Sequence, residues 1–96
     1  MKTIPLTPES EQLARRLVWF EPPEKALSNT ARFLAYAFAR ATHEDMTMLR
    51  QFLSDDDFRE ALEQAPPGII DARSWAYWNA KFGRTPAPLM PQRRFE

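Results

Sequence analysis

The chain contains no cysteine and a single histidine, His43. Disulfides and thiolate metal sites are excluded, so the fold must hold by packing alone. A cysteine-free chain suits a reducing cytoplasm. β-Branched apolar residues are few: Ile4, Val18, Ile69 and Ile70. No period-two alternation of useful length appears, so strands have little to form from. There is no apolar run approaching the ~20 residues of a membrane span, and the opening Met-Lys-Thr-Ile-Pro-Leu lacks the apolar stretch of a signal peptide. The expectation is a cytoplasmic protein with no membrane partner.

What is present is aromatic and helical. Seven Phe, three Trp and two Tyr in 96 residues supply large apolar area for one modest core. At 44% apolar and 27% charged the composition is that of a globular domain. Ala, Leu, Glu and Arg are abundant, as helices favour. The reading is all-α, a compact bundle of about five short helices over residues 1–83, followed by an extended Pro-rich basic tail over 84–96.

Punctuation sets the helices. Thr7 followed by Pro8 is a helix start, and Leu13, Leu17 and Phe20 then recur at i, i+4 and i+7 before Pro22 and Pro23 end the helix. Residues 24–27 add a helical turn. Asn29 or Ser28 caps a second helix over about 30–41, apolar on most sides and hence central. Thr42 with Asp45, and Ser54 with Asp57, resemble capping boxes for helices over about 43–53 and 55–65. The first faces inward through Met46, Leu49, Phe52 and Leu53, the second through Phe58, Ala61, Leu62 and Ala65. Pro66-Pro67-Gly68 stops the fourth. Asp71 caps a fifth that ends near Phe82, with Gly83 as its left-handed cap. Three prolines after Arg84 rule out further helix.

Several residues invite chemical readings. Asp55, Asp56, Asp57 and Glu60 suggest a Mg²⁺ or Ca²⁺ site, but no glycine allows a calcium-loop turn there, and acids belong in a helix's first turn. His43 lacks the companions of a metal ligand. No serine among Ser10, Ser28, Ser54 and Ser74 has a nucleophile-elbow context. The expectation is no catalytic residue, no metal and no cofactor. Trp75 and Trp78 read as core, with Phe82 on their face, whereas Tyr77 lies one step off it. A helix-turn-helix over residues 42–65 would present Asp55, Asp56, Asp57, Glu60 and Glu63 to phosphates, which repels DNA.

Net charge is zero but segregated. Residues 41–65 sum to −5 and residues 66–96 to +3. Glu44, Asp56, Glu60 and Glu63 are therefore the candidate partner-binding residues, for a protein with a basic surface. Arg84, Arg93 and Arg94, with Arg15 and Arg16, are the candidates for an alternative reading as a DNA-binding transcriptional regulator.

Leu17-Val18-Trp19-Phe20, Arg32-Phe33-Leu34-Ala35-Tyr36 and Asp57-Phe58-Arg59-Glu60-Ala61-Leu62, continued by Ala65-Pro66-Pro67-Gly68-Ile69-Ile70-Asp71 and Arg73-Ser74-Trp75-Ala76-Tyr77-Trp78, carry a resemblance. Over about residues 17–91 the chain resembles a family of small uncharacterised bacterial helical proteins. Their genes often adjoin those of AbiEii-type nucleotidyltransferase toxins. Ala41 stands where that pattern has glycine, and Ala72 where it often has proline. The resemblance implies an antitoxin-like or accessory role, with a nucleotidyltransferase as partner, and no catalytic residues.

Overall fold

The computed structural model describes residues 2–91, which form six helices and no strand. α1 (Pro8–Leu17) opens with a capping box. The Thr7 hydroxyl accepts the Ser10 N–H at 3.1 Å, and the Ser10 hydroxyl accepts the Thr7 N–H at 2.8 Å. Sequence periodicity carries this helix to Phe20, but it ends three residues earlier. Val18 leaves helical geometry at φ −130°, ψ 61° and is fully buried. The Arg40 side chain donates to the Leu17 carbonyl at 3.0 Å, satisfying one of the carbonyls that a helix end leaves without a partner. The early stop turns Phe20 out of the apolar stripe, and Trp19 and Phe20 both stand in solvent.

The expected helical turn after the proline pair is a helix of its own, α2 (Pro23–Ser28), with proline at its first position. α3 (Thr30–Arg40) is capped by Asn29, whose side chain accepts the Arg32 N–H. Phe33, Leu34, Ala35 and Ala37 are all fully buried. This helix packs on α1, α2, α5 and α6, and its alanines let those neighbours approach.

α4 (His43–Leu49) and α5 (Asp55–Glu63) both start with complete capping boxes, Thr42 with Asp45 and Ser54 with Asp57. α4 stops four residues short of Leu53. From there Gln51 bonds to Met48 and Phe52 to Leu49, a tighter i→i+3 pattern that swings the chain round to Ser54. Leu53 still reaches the core, but Phe52 is only half-buried. Gly68, at φ +89°, makes the turn after Pro66-Pro67 that a side chain would strain.

α6 (Ala72–Lys81) begins at the Asp71 cap and ends at Gly83, φ +79°. Trp75 and Phe82 are buried, Trp78 is half-buried and Tyr77 is 56% exposed. Trp78 therefore roofs the core, its ring 5.3 Å from Phe38 and its indole N–H donating to the Phe38 carbonyl at 2.9 Å. Beneath it Phe58, fully buried, meets Phe38 at 6.1 Å and Phe82 at 6.0 Å. These offset and edge contacts add to burial as aromatic quadrupoles favour. The described part of the tail, residues 84–91, has no helix. It lies back on the domain: Trp75 donates its indole N–H to the Pro88 carbonyl at 2.7 Å, and Met90 packs on the core.

Candidate protein-interaction site

The acids of residues 41–65 divide into those the fold consumes and those it leaves outward. Asp45 takes a bidentate pair from Arg16 at 2.6 and 2.9 Å, tying α4 to α1. It also accepts the Thr42 N–H. The Arg16 hydrogen bonds, with the help of that cap, hold its carboxyl at about 2. Asp55 pairs with Arg50. Asp57 closes the α5 capping box, and its bond from the Ser54 N–H lowers its pKa. All three are committed to holding helix ends or helix pairs.

Among the four acids singled out by charge patterning, Asp56 pairs with Arg59 at 2.7 Å, on a side chain that is 90% exposed. Glu60 is half-buried and accepts the Gln64 amide at 3.0 Å. Glu44 and Glu63 are exposed. Glu44, Glu60 and Glu63 have no salt-bridge partner among the described residues. Asp56, Glu60 and Glu63 share α5, whereas Glu44 sits at the start of α4, so the four do not form one ridge. The outward negative charge is thus smaller than −5 and centres on the second half of α5.

A different surface is more unusual. Trp19 is 74% exposed and Phe20 46%, beside an open groove of ≈ 640 Å³ lined by Arg15, Trp19, Phe20 and residues 21–24. Trp19 and Phe20 meet edge to face at 5.6 Å, and Phe20 meets Tyr36 of α3 at 5.7 Å. Two guanidiniums lie over the Tyr36 ring, Arg32 at 5.4 Å and Arg40 at 5.2 Å from its centre. Arg32 also pairs with Glu21 at 2.5 Å, and Arg15 with Glu11 at 2.8 Å. Trp, Tyr and Arg are the residue types in which interface hot spots are enriched. Helical spacing assigned Phe20 to the core. The signal that could have moved it is Pro22-Pro23, which forces the chain to leave the helix within a few residues of Leu17.

The basic residues of the alternative reading are less available. Arg84 is half-buried, and one of its terminal nitrogens is buried with no hydrogen-bond partner among the described residues. Arg93 and Arg94 lie outside the described residues. Arg15 and Arg16 are exposed, and both are ion-paired. His43 is exposed in the first turn of α4. Among the described residues no group of three or more His, Cys, Asp or Glu could hold a metal ion, and no helix is long and apolar enough to cross a membrane.

No family model matches the chain, and comparison with curated proteins and with solved structures gives no match either.

Proposed function

We propose that this is a non-catalytic protein-interaction module. The observation that carries the reading is the exposure of Trp19 and Phe20 side by side over an open groove. Full burial of a large apolar side chain is worth roughly 1.5–3 kcal/mol, and Trp19 at 74% and Phe20 at 46% exposure each forgo a share of it. A partner that covers them recovers that free energy. Glu60 and Glu63 on α5 act as steering charges toward a basic protein surface, raising the rate of encounter.

The resemblance to proteins encoded beside AbiEii-type nucleotidyltransferases suggests the partner, and an antitoxin-like or accessory role follows from it. Co-expression with the nucleotidyltransferase of a neighbouring gene, followed by co-purification at low salt, tests that reading. A stable complex weakened at least tenfold by Trp19→Ala supports it, and absence of a complex rejects this partner. The alternative, a DNA-binding regulator, would need Arg84 to turn outward and acids near the contact to be tolerated, so a duplex-DNA shift assay is expected to detect no salt-dependent binding.

A further inference from the structure

The groove carries its own indication of what fills it. On the α3 side of the 18–22 turn the chain completes a three-part arrangement. The Arg32 guanidinium lies over the Tyr36 ring at 5.4 Å and is held by the Glu21 carboxylate at 2.5 Å. On the groove side two of the same three parts are present. Trp19 offers an open indole ring, and Glu24 is exposed with no ion-pair partner among the described residues. Both line the groove. The cation is the missing third part.

We propose that the groove is a binding site for an arginine side chain on an extended segment of a partner protein. The guanidinium stacks on Trp19 and pairs with Glu24, while its neighbouring residues cover Phe20 and the Pro22 ring. Arginine suits this site better than lysine because its planar, weakly hydrated guanidinium stacks on an aromatic face and still donates to a carboxylate. Two arginines nearby are already engaged. Arg15 pairs with Glu11, and Arg40 donates to the Leu17 carbonyl while stacking on Tyr36. A nucleic-acid strand is the weaker fit, because Glu21 and Glu24 both line the groove and repel phosphates.

This inference rests on the interaction-module reading but names the chemistry of the contact, so the two can fail separately. The test is a titration of the whole chain with acetyl-Pro-Arg-Pro-amide, acetyl-Pro-Gln-Pro-amide and a ten-nucleotide oligo-dT. The Trp19 indole N–H resonance, assigned with Trp19→Phe, is followed by NMR. The arginine peptide is expected to give a saturable shift, weakened at least threefold by Glu24→Gln and by raised salt, with the glutamine peptide and oligo-dT inert. Trp19 and Glu24 are exposed, and an unchanged unfolding midpoint verifies that each variant folds. An inert arginine peptide, a glutamine peptide that binds equally well, or a saturable shift from oligo-dT overturns the assignment. If a co-expressed partner binds and is lost on Trp19→Ala while the arginine peptide is inert, only the ligand chemistry is wrong. If the arginine peptide binds and no protein complex forms, only the partner is wrong.

Discussion

Replacing Asp45 by Asn removes the charge that ties α1 to α4 while keeping the size of the side chain. In the folded protein the carboxyl stands at about 2 instead of 3.8, chiefly because of its hydrogen bonds from Arg16. That displacement of roughly 1.8 pH units, at about 1.36 kcal/mol per unit, sets an upper bound of about 2.4 kcal/mol. The Arg16 side chain is 55% exposed, so water and salt screen the pair. Exposed pairs are worth up to ~1 kcal/mol, and a discounted value of about 1–1.5 kcal/mol at neutral pH is expected once the cap contribution is included. Because the folded pKa is the lower one, the stabilisation is fully present above pH ~4 and disappears as pH falls through about 2. By the same relation about half of it remains at pH ~3.

Urea unfolding followed by tryptophan fluorescence reads the effect directly. With a slope of ~1–3 kcal/mol per molar, the Asn variant should unfold about 0.3–1.5 M earlier at neutral pH. The gap should halve near pH ~3, wherever the native baseline still holds. A double-mutant cycle with Arg16→Gln separates the ion pair from the cap. Equal midpoints at neutral pH, or a gap that does not shrink on acidification, would refute the reasoning.

Phe58→Ala, at the fully buried contact between Phe38 and Phe82, should cost about 3–5 kcal/mol by denaturant unfolding, and a loss under ~1 kcal/mol contradicts the core assignment. Trp78→Ala should cost less, about 2–3 kcal/mol, because the ring roofs the core and is half-exposed; Trp78→Phe should recover the packing share but not the hydrogen bond to Phe38. The Glu60→Lys, Glu63→Lys double variant should change the unfolding midpoint little, since outward substitutions cost within ~0.5 kcal/mol each. It should nevertheless slow association with a basic partner and flatten its salt dependence, and unchanged rates by surface plasmon resonance would remove α5 from the interface. Millimolar Mg²⁺ or Ca²⁺ should leave thermal unfolding where EDTA leaves it, whereas a saturable rise would mean that the α5 acids bind the ion.

The helical class and the helix starts were legible because capping is local chemistry. Thr7, Asn29, Thr42, Ser54 and Asp71 each accept a backbone N–H within their own first turn. The helix ends were less so, because they depend on partners distant in sequence. α1 stops at Leu17 where Arg40, 23 residues away, reaches its carbonyl. α4 stops early where the chain must swing to α5. The consequence for function is direct. A continuous periodicity through Phe20 placed that ring in a core stripe, and the turn that exposes it, set up by Pro22-Pro23, is completed by the Arg40 contact with Leu17. Charge patterning found the acids but not their fates, since Asp45 is consumed by Arg16, 29 residues distant. Local pairing of the same kind ties Asp55 to Arg50 and Asp56 to Arg59.

The central claim is that the Trp19–Phe20 surface is where a partner protein docks. Its most direct measurement compares wild type with Trp19→Ala for binding to the co-expressed nucleotidyltransferase by isothermal titration calorimetry, with unfolding midpoints recorded in parallel. The account predicts that Trp19→Ala weakens binding by at least tenfold, about 1.4 kcal/mol, and leaves the midpoint within the scatter of wild type. Equal affinity of the two proteins, or a loss of binding that tracks a loss of fold, would contradict it.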